Sequence, residues 1–403
     1  MPDSSSLSAN QAKQLASPHT TKTLIIRSLS VLLLLVVFLV NIELLGSAVH
    51  LVGKDKLEAL MEAIDNPFVG LFIGLLSSAI LQSSSAITSL TVAFVASGIL
   101  PIHNAIPVVM GANVGTTITS ILVAFGHITS KKEFKRAISA ALTHNFFNIF
   151  STVLLLPLEY LTEGLGKLST FLAHNLYNSY GLSKIAIFDL TILPISQYIL
   201  VWAEGYVEWL IVASIVCLMV SIRGFTKLSR QFFTQDEEKF QSFLFGTPQK
   251  SLFWGIVVTA AIRSSSATTS LIVPLVAANR VSLQNAFCFI MGANVGTTIT
   301  ALLAAFSKSE QALSIALVHL LFNLFGVLLF FPFPFLRNLV IAAAKFLGKL
   351  AYENRIIGFI YLLLMFFVLP FLLILATKKE LPKPSNQSFL HSKVAKWSEN
   401  KLK

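Results

Sequence analysis

Gln82-Ser83-Ser84-Ser85-Ala86, followed at 111–119 by Gly-Ala-Asn-Val-Gly-Thr-Thr-Ile-Thr, forms a pair of polar islands in apolar sequence, and the pair occurs twice. Arg263-Ser264-Ser265-Ser266-Ala267 leads to the identical nine-residue string at 292–300. The register is constant: 263 minus 82 and 292 minus 111 both equal 181, and residues 82–125 match 263–306 at 25 of 44 positions without a gap. A repeat of this length means a duplicated bundle rather than a short-period solenoid. Each half therefore brings one copy of a site.

Around these islands the chain is 55% hydrophobic and only 12% charged, with a mean hydropathy of +0.75. A soluble globular protein is about a quarter charged, so this composition describes a polytopic membrane protein embedded in a lipid bilayer. Its 403 residues supply about eight crossing or half-crossing segments of about 20 residues each. The net charge of +11 does not point to a nucleic-acid partner, because Lys and Arg cluster at segment ends and in the tails, where membrane topology places them. Cys217 and Cys288 lie singly in apolar runs and read as core residues, with no disulfide or metal framework.

In chain order, 1–23 is a flexible polar tail and 24–45 an uncleaved first span. Residues 54–65 form an acidic amphipathic outside loop. The apolar pieces 68–81 and 87–100 are each only about 20 Å long as helices, too short for a core of about 30 Å. They read as a re-entrant or broken-helix hairpin around the serines. Non-helical backbone at that depth is tolerated only in protein or beside a wet cavity. Residues 102–125 cross, interrupted by Gly111 and Gly115, and 134–156 cross back after the basic cluster Lys131, Lys132, Lys135 and Arg136. An external linker follows at 159–205, marked by Glu159, Glu163, Asp189 and Glu204. Residues 207–222 return to a cytoplasmic linker at 223–250.

The second hairpin, 252–278, then enters from the opposite side, and 283–306 and 311–331 repeat the crossing pair. The expected fold is an all-α polytopic membrane protein with two inverted repeats, about 66–156 and about 250–331, whose hairpins meet at the bilayer midplane. Both lie in one transmembrane domain, 24–377, ahead of a basic tail at 378–403. Basic residues place 335–355 inside as an amphipathic segment. The span at 356–376 then carries the tail outside, whereas its charge favours the cytoplasm.

Three serines between half-helices offer hydroxyls beside backbone N–H groups freed at a helix start. That combination suits an oxyanion, while hydroxyl and unwound carbonyl oxygens suit sodium. Asn113, Thr116 and Thr117, repeated as Asn294, Thr297 and Thr298, add further oxygen ligands. Small and hydroxyl residues also pack membrane helices, but packing alone does not call for the same string at matching points of two halves. His144, Asn145 and Asn148, echoed by His319 and Asn323, read either as support behind the ligands or as helix-to-helix hydrogen bonds. Glu43, His50, His103, Asp189 and Glu204 fall near segment ends and read as solvated. No nucleophile elbow and no phosphate-binding Gly-x-x-x-x-Gly-Lys loop is present, so neither an enzyme nor an ATP-driven pump is expected, and no organic cofactor.

At these residues the chain resembles the type II sodium/phosphate cotransporter family, whose hallmark is a Gln-Ser-Ser-Ser string in each inverted repeat followed by Gly-(Ala/Ser)-Asn-(Val/Ile)-Gly-Thr. The resemblance covers about 66–156 and 250–331. It implies a plasma-membrane secondary transporter that couples sodium influx to uptake of inorganic phosphate by alternating access, with sodium as the transported coupling ion. It assigns Gln82, Ser83, Ser84, Ser85, Ser264, Ser265, Ser266, Asn113 and Asn294 to substrate. Thr116, Thr117, Thr297 and Thr298, with Ser83 and Ser264, are then placed around sodium. Arg263 departs from the pattern, standing where the second string begins with Gln, and a guanidinium there suits a phosphate partner. Another oxyanion as cargo, or an anion channel, remains the alternative.

Overall fold

The computed structural model describes residues 18–51, 66–179, 186–203, 205–230, 243–305 and 308–377, and their regular structure is entirely helical. Helix α1 (Pro18–Leu51) precedes α2 (Pro67–Leu81), α3 (Ser84–Ala96), α4 (Ile102–Gly115), α5 (Ile118–Phe125) and α6 (Lys131–Thr162). Helices α7 (Gly164–Ser179), α8 (Ala186–Trp202) and α9 (Val207–Arg230) connect these to α10 (Pro248–Ile262), α11 (Ser265–Ala277), α12 (Leu283–Gly296), α13 (Ile299–Ala305) and α14 (Glu310–Phe330). The described chain ends with α15 (Pro334–Glu353), α16 (Arg355–Leu363), a π-helical turn at Leu364–Val368 and α17 (Leu369–Thr377). Among the described residues, Ile102–Phe125, Lys131–Thr162, Leu283–Ala305, Glu310–Phe330 and Arg355–Leu373 are long and apolar enough to cross a membrane.

The sequence repeat is a structural repeat. Both ends of α2, α3 and α4 recur 181 residues later in α10, α11 and α12, as 67 recurs at 248 and 115 at 296. The half-length hairpins exist because α2 ends on Gln82 in the left-handed region (φ 55°) and α10 ends on Arg263 in the same conformation (φ 60°). Ser83 and Ser264 then cap the next helices, accepting hydrogen bonds from the amides of Ala86 (3.2 Å) and Ala267 (3.3 Å). A left-handed residue followed by an N-cap stops one helix and starts another.

Gly111 and Gly115 do not interrupt the crossing at 102–125 as the sequence suggested. They are helical, and the break falls one residue later, at Thr116-Thr117 and again at Thr297-Thr298. The glycines instead admit the hairpin backbone. A Cβ on Gly111 would lie 1.9 Å from the Leu71 carbonyl oxygen, and one on Gly292 2.1 Å from that of Leu252. Only a bare Cα lets two helices approach so closely.

Helix α6 serves as a ruler for the rest, since its 32 residues extend about 48 Å. Ser314 near the start of α14 bonds Ser169 and Thr170 of α7, just beyond the Thr162 end. Phe330 at the other end of α14 meets the Phe147 ring at 5.6 Å, partway along α6. Helix α15 continues the descent, with Gly348 against Ser139 and the Tyr352 ring beside Lys131 and Lys135. The stretch read from sequence as an inside amphipathic segment at 335–355 is thus the lower half of a path that α14 begins, kinked at Phe331-Pro332-Phe333-Pro334. Helix α16 then turns back: Tyr361 packs on Phe146, while Leu369 and Leu373 line a groove with Val153 and Phe68. Thr377 therefore lies toward the Thr162 end of α6.

Helix α1 starts at Pro18, inside the stretch read as a polar tail; residues 1–17, the loop at 54–65 and the tail at 378–403 lie outside the described residues. Helix α9 runs to Arg230, so the linker read as 223–250 is helical at both ends. Two acids read as solvated or linker charges are not. Glu43 pairs with Lys308, their side chains only 16% and 9% exposed. Glu159 is buried and caps α7, accepting from the amides of Leu165 (2.6 Å) and Gly166 (3.2 Å). His103 is exposed, as read.

Candidate functional site

The serine strings start α3 and α11, and each string reaches the Thr-Thr break of the other half. Ser85 Oγ lies 2.8 Å from Thr297 Oγ1, and Ser266 Oγ lies 2.8 Å from Thr116 Oγ1. Position 85 corresponds to 266 and 116 to 297, so the two bonds are one bond repeated with the partners exchanged. The histidines obey the same rule. His144 Nε2 donates to Asn294 Oδ1 at 3.0 Å, and His319 Nε2 donates to Asn113 Oδ1 at 3.2 Å. Asn294 Nδ2 donates to Asn148 Oδ1 (2.9 Å), and Asn323 Nδ2 to Asn113 Oδ1 (3.4 Å). Contacts in which i meets j while j's counterpart meets i's are the mark of a two-fold relation.

Ser84, Ser85, Ser265, Ser266, Asn113, Asn294, both Thr-Thr pairs, His144, Asn145, Asn148, His319 and Asn323 are all buried. Polar groups taken out of water need partners, and most have them. Thr117 and Thr298 turn their hydroxyls back onto the carbonyls of Val114 and Val295, both at 2.7 Å. Ser83 and Ser264 use an oxygen lone pair for capping and are half-buried. Two hydroxyls one helical turn apart, Ser84 Oγ and Thr88 Oγ1, are buried with no protein partner. They face the same side of α3. Gln82 has an exposed side chain, and its carbonyl accepts from Ser266 Oγ at 2.9 Å.

Arg263 is half-buried, with its guanidinium 5.4 Å from the centroid of the Phe38 ring. An aromatic face on α1 thus meets it in a cation–π arrangement.

Sequence reasoning missed three contributors. Ser120 Oγ joins His144 Nδ1 (3.2 Å) to Thr269 Oγ1 (3.1 Å); a hydroxyl just past the Thr-Thr pair was the available signal. Tyr361 donates to Asn145 Oδ1, and Asn145 Nδ2 donates to Thr117 Oγ1 at 2.6 Å. Nothing in the apolar run around Tyr361 announced that role, and nothing marked Phe38.

A family model described as Na+/Pi-cotransporter matches residues 37–166 and 217–346, two segments that contain every residue of this site apart from Tyr361. The chain is 29% identical to sodium-dependent phosphate transport protein 2B of Bos taurus, over 84% of this chain and 63% of that protein. It is 30% identical to protein 2A of Oryctolagus cuniculus, over 83% of this chain and 65% of that protein. It is 27% identical to human protein 2B, over 83% of this chain and 62% of that protein. The chain thus spans less than two thirds of these relatives' length. No solved structure matches.

Proposed function

The chain belongs to the Na+/Pi-cotransporter family, a family of transporters rather than enzymes, and on that premise we propose that it is a secondary active transporter of the plasma membrane, coupling sodium influx to uptake of inorganic phosphate by alternating access. The observation that carries this reading is the partner exchange between the halves. Ser85 and Thr297, Ser266 and Thr116, and the two His–Asn pairs join two copies of one polar site across a two-fold relation. Inverted repeats with broken helices at the midplane are the architecture of many such carriers. An inverted arrangement is supported by the helix ends: those of α2 and α3 fall toward the Thr162 end of α6, and Asn279, after α11, lies beside Lys135 at the other. The excess of Lys and Arg at the latter end makes it the cytoplasmic one.

Residues 24–377 form the transport domain. Phosphate is held by the N-termini of α3 and α11, with Ser84 as a free hydroxyl, alongside Ser83, Ser85, Ser264, Ser265 and Ser266, and with Gln82, Asn113 and Asn294 around them. Sodium takes oxygens from Thr116, Thr117, Thr297 and Thr298 with the capping serines. His144, Asn145, Asn148, His319 and Asn323 hold the two asparagines and threonines in place.

Radiolabelled phosphate uptake into proteoliposomes tests the proposal. Accumulation against the phosphate gradient is expected with an inward sodium gradient and not without one; sodium-independent uptake, or single-channel currents with no accumulation, overturns it. In the same assay Arg263→Gln, which restores the residue of the first repeat, is expected to weaken phosphate affinity at low sodium and raise the sodium Hill coefficient. A fixed positive charge beside the anion does part of a sodium ion's work, and parental behaviour in Arg263→Gln and Arg263→Lys alike makes the arginine structural.

A further inference from the structure

Away from the paired polar site, the structure holds an open cavity of about 790 Å³ where the N-terminal turns of α6, the α11–α12 connection and the C-terminal turns of α15 converge. Lys132, Lys135, Arg136, Lys345 and Lys349 all line it, and among the described residues no acidic one does. The nearby acids offset little of this charge: Glu133 pairs with His127 at 3.1 Å, and Glu353 meets the lining Lys349 only loosely, at 4.0 Å on an exposed face. Five cations facing one space repel one another, and the chain provides no counter-charge among the lining residues.

Three further features point to an anion in that space. Arg136 Nε is buried there without a hydrogen-bond partner. Helix α6 begins at the cavity with no side chain capping its first turn, and the acid of that turn, Glu133, is held by His127, so the uncapped amides add to the field. Asn279 and Ser282 supply polar groups on the opposite wall, while Val276, Val281, Leu283 and Phe346 make the remaining wall apolar. Phe346 is also 66% exposed beside this wall. Inorganic phosphate needs neither so large a space nor an apolar wall; a molecule with an anionic head and hydrocarbon attached needs both.

We infer that this cavity seats the phosphate-bearing headgroup of an anionic phospholipid of the cytoplasmic leaflet, with its acyl chains leaving along Phe346. Basic pockets between helices at that surface are suited to such headgroups. The bound lipid ties α6 and α15, already in contact where Gly348 meets Ser139, to the connection that follows the second hairpin. It thereby fixes α11 relative to α6, the helix that carries His144.

The inference rests on the membrane setting proposed above. Its test needs no ion gradient, so its failure and that of the transport reading are distinguishable. The delipidated full-length protein in detergent is titrated with fluorescent phosphatidylglycerol, a bis-phosphorylated inositol lipid and phosphatidylcholine, and unfolding temperatures confirm that each variant is folded. Binding of at least one anionic lipid at least tenfold tighter than phosphatidylcholine is expected. The preference should fall about tenfold or more in K135Q/R136Q/K345Q and survive in K135R/K345R. Equal binding of all three lipids, or an undiminished preference in the glutamine variant, overturns the inference. Displacement of the bound lipid by millimolar inorganic phosphate or glycerol phosphate assigns the cavity to a water-soluble phosphate and overturns the lipid as its source.

Discussion

Ser120 satisfies two buried groups at once, and position 301, its counterpart 181 residues on, is Ala. In the first copy Ser120 reaches both His144 Nδ1 and Thr269 Oγ1. In the second, the corresponding atoms are His319 Nδ1 and Thr88 Oγ1, and both are buried without partners. One missing oxygen thus accounts for two orphaned groups. Leaving a buried group unsatisfied costs about 1–3 kcal/mol, so Ser120→Ala should lower the unfolding temperature of the purified protein by an amount corresponding to about 1–3 kcal/mol. Ala301→Ser should raise it by about 1 kcal/mol. An unchanged Ser120→Ala variant would show that the bridge carries no weight. At this scale the sequence was legible where a residue was duplicated. The serines, asparagines, threonines and histidines announced themselves by recurring, whereas Ser120, Phe38 and Tyr361 have no counterpart of like kind and their roles come only from the partners the fold brings to them.

At the scale of elements, apolar length was the reliable signal. Fourteen-residue pieces cannot span hydrocarbon, and they fold as α2, α3, α10 and α11. The function of the glycines was harder to read, because a glycine that opens a helix and one that admits a neighbour look alike in sequence. Gly292 belongs to the second kind, and Gly292→Ala would drive a methyl group into the Leu252 carbonyl of α10. Overpacking against backbone, which cannot rotate away, should cost about 3 kcal/mol or more. The expected outcome is loss of the monodisperse peak in size-exclusion chromatography, and a variant that elutes and unfolds like the parent would mean that α10 and α12 can separate. The packing of α15 was also hard to read. Its Lys345 and Lys349 are exposed and carry the amphipathic pattern, whereas the seating of Val340, Ile341 and Ala344 in the core comes only from the fold.

For the whole molecule, α1 is tied to the second half at two depths, by Phe38 under Arg263 and by Glu43 on Lys308. Removing one member of a nearly buried ion pair costs about 3–5 kcal/mol. Glu43→Gln should therefore lower the unfolding temperature strongly and Glu43→Gln with Lys308→Met much less; equal losses in the single and double variants would deny the coupling. The exchanged contacts between the halves have a consequence of another kind. Four of them, Ser85 to Thr297, Ser266 to Thr116 and the two His–Asn bonds, must break for the halves to part. At a net of about 1 kcal/mol each, they hold the parted form to about one molecule in a thousand, and ligands that favour that form by roughly thirtyfold at each of two sites make it even. On the alternating-access reading proposed above, a carrier so held idles shut when empty, and a handful of hydroxyl and imidazole bonds sets how many ions it loses per anion delivered.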